Sequence, residues 1–353
     1  MSGVDRLVRD EIRALHAYPV QSSAGMIKLD AMENPYPLPE AVQRELGETL
    51  AAVALNRYPD PRPATVRALL RDAMGVPEGA DVMLGNGSDE IIQCVALALA
   101  RPGAVLLSVE PSFVMFRMIA TFCGLQYVGV PLRPDFTLDR DLLLETIARV
   151  RPAVVFLAYP NNPTGNLFDA DTLVEVVERS PGLVVIDEAY HAFSDATFMH
   201  RLADHPNLAV MRTLSKLGLA GVRLGMLAAS PAWIAELDKV RMPYNVNVLT
   251  QAAVRVVLSH REVLAEQTGA IVAERSRVAA ALTAVGARPF PSAANFVLFQ
   301  VPRASEVFDA LKVRGILIKN LNGSHPLLSN CLRVTIGTRE ENESFLAALK
   351  QSL

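Results

Sequence analysis

The chain has 353 residues, of which 51% are hydrophobic, enough to bury the cores of roughly two domains. Its 34 basic and 37 acidic residues leave a net charge of −3, so it lacks the cationic face that a nucleic-acid partner needs. The opening MSGVDRLVRDEIRALHAYPV carries charges throughout, no apolar run reaches the ~18 residues of a membrane helix, and Cys94, Cys123 and Cys331 lie far apart; a cytoplasmic protein with reduced core thiols is expected. His200 and His205, the closest histidine pair, fit no metal-ligand spacing, and no metal is expected.

In chain order, the first 40 or so residues are irregular and proline-rich, with PYPLP at 35–39, and read as an arm that lies on something else. ATVRALLRDAMG (64–75) has helical spacing and ends in glycine, VMLG (82–85) is a short strand, and SDEIIQCVALALA (88–100) is a helix with Ser88 placed to cap it. Strands follow at 104–109, 126–130, 153–158, 183–188, 208–213 and 223–229, with helices between most of them. Because these strands are continuous in Val, Ile and Leu, they are buried on both faces, and the expected class is α/β with a mainly parallel sheet covered by helices. After MPYNVN (242–247) the texture changes to long alanine-rich helices over roughly 250–285, then NFVLFQV, ILIKN and LRVTIG, which suits a smaller α+β domain. The expected division is an arm with the start of the small domain over 1–45, a large domain over 46–248 and a small C-terminal domain over 249–353.

Open parallel sheets bind ligands beyond the carboxyl ends of their strands. Four loops there carry unusual residues. GNGSDE (85–90) opens a helix, where glycines let N–H groups approach an anion; it is equally a glycine turn with Ser88 as a cap. YPNNPTGN (159–166) is a rigid Asn-Pro turn able to aim an amide. DEAY (187–190) puts Asp187 at the end of an apolar strand, where burial demands a cationic partner or a proton; a structural ion pair satisfies this as well as a ligand does. RTLSKLGLAGVRLG (212–225) sets Lys216 beside small residues that leave it room. Together the loops request a phosphate, an aromatic ring with a protonatable nitrogen, and a carbonyl that an amine can attack. Pyridoxal 5′-phosphate has all three. Lys216 then bonds the carbonyl, Asp187 holds the ring proton, and Arg223 takes the phosphate with the amides around Ser88 and Asp89. A nicotinamide site is disfavoured, because GNGSDE lacks the third glycine of the dinucleotide fingerprint.

KLDAMENPYPLP (28–39), RYPDP (57–61), these four loops, ANFVLF (294–299) and CLRVTIGT (331–338) together resemble the fold-type-I pyridoxal-phosphate aminotransferases. Among them the histidinol-phosphate aminotransferases are most similar, over nearly the whole chain. The resemblance implies that Asn162 and Tyr190 bond the cofactor's ring oxygen, that Phe113 of PSFVMF stacks on the ring, and that Ser215 and Arg223 bind its phosphate. It also implies that Tyr58 reaches the phosphate in a neighbouring subunit, making a homodimer with shared sites. Arg333 corresponds to the arginine that clamps the substrate anion. Lys319 and Tyr18 are the candidates to stand beside it, with Lys319 otherwise a solvated strand-end lysine. The implied reaction moves an amino group from glutamate to imidazole acetol phosphate, giving histidinol phosphate; an aromatic or broad-specificity aminotransferase and a phosphothreonine-type decarboxylase share the scaffold. A non-catalytic regulator is disfavoured by the lack of a basic DNA-binding segment ahead of these motifs. Three positions depart from the family pattern: Met32 replaces an asparagine, GLAGVR lies one residue closer to the lysine, and Lys319 stands where arginine is frequent.

Overall fold

The computed structural model describes residues 3–17 and 20–353. Its largest sheet has seven strands in the order Asp81–Gly85, Gly225–Ala229, Leu208–Thr213, Leu183–Asp187, Val154–Ala158, Val105–Glu110 and Gln126–Pro131. Six run in one direction, and Gly225–Ala229 is antiparallel to both its neighbours. Period-two alternation explains the continuous apolar runs. Val155, Leu157, Val184, Ile186 and Val210 enter one core cluster, while Val154, Phe156, Leu183, Val185 and Ala209 enter another, so each strand feeds helices on both faces.

A second body carries a four-stranded antiparallel sheet ordered Lys319–Asn320, Cys331–Thr335, Phe296–Gln300 and Arg288–Pro289. ILIKN is not one strand. Ile316–Leu317 pairs in parallel with Ile27–Lys28 of the N-terminal region, and Lys319–Asn320 then joins the four-stranded sheet. Of the two alanine-rich helices, Val248–Ser259 packs on Glu40–Ala51 and Ala64–Ala73, with Val254 and Val257 in the first large-sheet cluster. Arg261–Ala284 contributes Ile271, Val278 and Leu282 to the core of the smaller body. Among the described residues no helix is long and apolar enough to cross a membrane.

Two local expectations are corrected. Ser88 does not cap its helix: Gly87, at φ +86°, holds the capping position, and Ser88 is the first residue of Ser88–Leu99. The positive φ favours glycine there, and a side chain at Gly87 would meet Arg223 Nη2 at 2.5 Å and push that guanidinium from its place. The strand after Lys216 starts at Gly225 and not at Arg223, because Arg223 takes the left-handed conformation at φ +56°.

The end of the central strand is fixed by a buried ion pair. Arg212 Nε and Nη2 donate to Glu188 Oε2 at 2.9 and 2.7 Å, Arg212 Nη1 donates to the Met74 carbonyl at 2.7 Å, and Thr197 and the Phe198 N–H also bond the Glu188 carboxylate. With every polar atom of Glu188 engaged and the residue fully buried, removing the cation alone strands a charge. Arg212→Met should therefore destabilise the protein by about 3–5 kcal/mol in denaturant unfolding, and Glu188→Met in the same chain should recover part of that loss. A single-variant loss below about 1 kcal/mol would show the pair to be dispensable.

Candidate active site

Because six strands of the large sheet point the same way, their carboxyl ends define one edge. The reversed strand brings its first residue to that edge as well, with Gly225 in register with both Gly85 and Thr213. A cleft with about 560 Å³ of empty space lies there. The start of helix Ser88–Leu99, just after Asp81–Gly85, supplies Ser88 and Asp89, the loop after Val154–Ala158 supplies Asn162, the end of Leu183–Asp187 supplies Asp187, and the loop that follows supplies Tyr190. Ser215, Lys216 and Arg223 come from the connection between Leu208–Thr213 and the reversed strand. Phe113 completes one wall; its ring meets Phe116 edge-on at 5.5 Å, and Phe116 stacks on Phe156 of the sheet at 5.0 Å.

The electrostatics separate the two titrating groups. Asp187 is buried, its Oδ1 accepts one backbone N–H from Ala189 at 3.0 Å, and it forms no ion pair among the described residues. The cation expected beside it belongs to the next residue, since Arg212 is taken by Glu188. Burial, with the charges of Asp89 and Glu188, therefore pushes the Asp187 carboxyl up to about 7, against the Ala189 bond and the Lys216 charge. Lys216 Nζ donates to the Ala31 carbonyl at 3.1 Å and lies 5.9 Å from the Tyr190 ring centroid. Burial, then the charges of Arg333 and Arg223, bring its amine down to about 8, opposed by Glu33 and Asp89. A lysine lowered this far is partly neutral near neutral pH.

One corner is built for an anion. The first N–H groups of Ser88–Leu99 are free of intrahelical bonds, the glycine before them leaves the approach open, and Arg223 stands across from Gly87. Ser215 is held in place by Thr213, whose hydroxyl lies 2.9 Å from the Ser215 hydroxyl and accepts the Ser215 N–H at 3.1 Å. Asp89 limits this positive field: it pairs with Arg223 at 3.8 Å, and its own carboxyl is raised, chiefly by burial. The arrangement fits the cofactor suggested by the sequence: an anion at this corner, a protonated ring nitrogen against Asp187, and a carbonyl within reach of Lys216.

The remaining candidates sit differently. Arg333 is buried; its Nη1 donates to Asn162 Oδ1 at 2.5 Å and its Nη2 to the Asp30 carbonyl at 3.0 Å. With Oδ1 engaged, Asn162 has amide N–H groups to offer a ligand oxygen. Lys319 is the direct cross-strand partner of Arg333, so both side chains share a face of the small sheet. Its amine is lowered by burial and then by Arg333, which is not the behaviour of a solvated strand end. Tyr58 lies away from this cleft: it is 82% exposed and stacks on Tyr244 at 4.6 Å. Tyr18 lies outside the described residues. Thr213 and the Ala31 and Asp30 carbonyls escaped the sequence reading. Thr213, two residues before Ser215 at a strand end, left a weak signal; backbone carbonyls leave none.

The family model described as aminotransferase class I and II matches residues 24–349. Histidinol-phosphate aminotransferase 2 of Cupriavidus pinatubonensis is 56% identical over 356 aligned residues, covering 99% of this chain and 97% of that one. Histidinol-phosphate aminotransferase of Chromobacterium violaceum is 56% identical over 349, covering 99% and 98%. Among solved structures, histidinol-phosphate aminotransferase from Sinorhizobium meliloti in complex with pyridoxal-5′-phosphate aligns with a TM-score of 0.87 at 25% identity, covering 98% of this chain and 97% of that chain.

The raised Asp187 carboxyl has a pH consequence in the ligand-free chain. A folded-state value of about 7, above the ordinary 3.8, gives a contribution to stability that is full below the ordinary carboxylate range and is lost as pH rises through about 7. Asp187→Asn abolishes that titration. The stability of the variant relative to the parent should rise from pH ~4 to pH ~7, by up to about 1.4 kcal/mol per pH unit, and level off above. Parallel stability profiles for the two proteins would place Asp187 in a polar, ordinary setting.

Proposed function

From the premise that this chain belongs to the class I and II aminotransferase family, we propose that it is a pyridoxal-phosphate-dependent enzyme exchanging an amino group between glutamate and imidazole acetol phosphate, the histidinol phosphate step of histidine biosynthesis. The observation that carries the chemistry is a buried carboxyl that forms no ion pair among the described residues, sharing one cleft with a half-buried amine whose proton affinity is lowered. The relatives, at 56% identity over nearly the whole chain, support the substrate.

Pyridoxal phosphate, when bound, supplies an aldehyde for the amine and a protonated ring that withdraws the electron pair left at the substrate carbon. The chain does the rest. The N–H groups of Ser88 and Asp89, the Ser215 hydroxyl and Arg223 would hold the phosphate, and Phe113 would pack on the ring. Asn162 and Tyr190, which line the same cleft, would bond the ring oxygen. Asp187 would hold the ring N–H, whose positive charge would favour its ionised form, and the carboxylate would keep the proton on that nitrogen. Lys216 Nζ takes the proton from the substrate carbon bearing the amine, a base role helped by its lowered pKa. Arg333, positioned by Asn162 and the Asp30 carbonyl, receives the substrate's anionic end.

A phosphate ester is a dianion, and the second cation beside Arg333 is Lys319. Lys319→Ala should weaken kcat/KM for histidinol phosphate relative to phenylalanine by about 1.5–3 kcal/mol, the range of a charged hydrogen bond, with a smaller loss for glutamate. Steady-state rates with histidinol phosphate, phenylalanine and phosphothreonine side by side test the substrate assignment. Equal losses in the variant would remove Lys319 from substrate selection, and wild-type preference for phenylalanine would favour a broad-specificity aminotransferase.

The enzyme we envisage is a cytoplasmic homodimer. Three free cysteines agree with a reducing compartment. Tyr58 and Tyr244, stacked and solvent-facing beside exposed Leu55 and Met242, suit a subunit interface through which Tyr58 reaches the partner's phosphate. Lys216→Ala alone should lose essentially all turnover, and Tyr58→Phe should weaken cofactor binding. Mixed and exchanged, the two variants should regain activity, because one site in each heterodimer then carries neither lesion. No recovery despite confirmed exchange would mean that each site is built from a single chain.

A further inference from the structure

The segment Asp30–Asn34 is fastened to the cleft by its backbone and by the Asn34 side chain. The Asp30 carbonyl accepts from Arg333 at 3.0 Å and the Ala31 carbonyl from Lys216 at 3.1 Å. The Met32 N–H donates to Thr335 Oγ1 at 2.9 Å, and the Met32 carbonyl accepts from Asn295 Nδ2 at 3.0 Å. Asn34 Nδ2 donates to the Leu217 carbonyl at 3.1 Å. Bonded on both sides, Met32 is held at φ +53°, a left-handed conformation that costs an unbranched L side chain energy. The consequence is directional: its side chain lines the cleft and packs against the apolar cluster that contains Tyr190 and Phe296.

The neighbours of Met32 define what it meets. The carbon that loses its proton must lie within reach of Lys216, held by Ala31, and the anionic end must lie at Arg333, held by Asp30. Met32 is the next residue of the same segment and lines the same cleft as Lys216, within the space where a substrate side chain attached between those two points would extend. Met32 brings a flexible, polarizable thioether with no hydrogen-bond donor into a lining otherwise rich in Lys216, Asn162, Asp187 and Ser215. We propose that Met32 is a specificity-determining residue, the apolar wall on which the substrate's ring packs, so that the site accepts phenyl and imidazole rings on similar terms. This rests on the amino-transfer reading above. An apolar wall rewards ring area and cannot strongly reject a ring of similar size, whereas a polar one favours the ring that bears nitrogen.

The test uses the cofactor-loaded enzyme with histidinol phosphate, phenylalaninol phosphate, phenylalanine and glutamate, comparing the parent with Met32→Gln and Met32→Leu. Glutamine keeps the length of methionine and adds a polar end, leucine keeps the apolar character, and all three place a side chain at the same left-handed position. The parent should use the two phosphate esters within about tenfold of each other. Met32→Gln should shift the ratio of their kcat/KM values about tenfold toward histidinol phosphate and lower phenylalanine relative to glutamate by a similar factor, while Met32→Leu keeps both ratios near the parent's. Ratios unmoved by glutamine, or a uniform loss for all four substrates, would overturn the proposal. A parent that fails to turn over histidinol phosphate would contradict the substrate assignment instead, and the ratio of phenylalanine to glutamate would still decide the role of Met32.

Discussion

The site depends on a carboxylate deprived of its protein cation. Asp187 ends a central strand and Glu188 follows it directly, and one arginine serves the pair of them: Arg212 turns to Glu188, where Thr197 and the Phe198 N–H complete the shell. Glu188 thereby becomes a fixed part of the core. Asp187 is left buried with a single backbone donor, its proton affinity raised until a cation arrives from outside the chain. A ring that carries its own N–H⁺ satisfies that need, and its protonated form is the one able to accept electron density from the reacting carbon.

Topology brings the rest of the chemistry to the same edge. If Gly225–Ala229 ran parallel to its neighbours, Arg223 would enter at the far end of the sheet; reversed, it enters across from Gly87 and the start of Ser88–Leu99. The anion corner and the carboxyl are thus separated within one cleft, and Lys216 lies between positive and negative fields that both act on its amine. The small sheet closes the arrangement from the other side. Asn162 is one of the links between the two bodies, because its amide oxygen takes Arg333 while its loop belongs to the large sheet.

Much of this was legible in the sequence because the chemistry-bearing residues sit in loops directly after apolar strands, where local pattern fixes both strand and loop. Asp187, Asn162, Lys216 and Arg223 fall in that class, and all four meet in the cleft. What local pattern could not give is pairing across long separations. Arg212 and Met74 meet across 138 positions, and Lys216 meets the carbonyl of Ala31 across 185. Nor could it show that ILIKN divides between two sheets, since a five-residue run from apolar to polar looks alike whichever edge receives it. Local pattern places Ser88 as a cap because serine suits that position by propensity, whereas the capping residue is Gly87, whose φ of +86° favours glycine. Tyr58, exposed beside Tyr244, marks a different gap: its expected partner is another chain.

The central claim is that Asp187 acts through its charge on the bound ring and not through shape. The direct measurement is the single-turnover rate of amino transfer from glutamate in cofactor-loaded Asp187→Asn, beside the parent, with bound cofactor quantified in both. We expect the variant to retain the cofactor and to react slower by about a hundredfold or more, since the neutral amide occupies the same space without holding the ring proton. A variant that binds the cofactor and reacts at the parental rate would contradict that account and return Asp187 to a purely structural role.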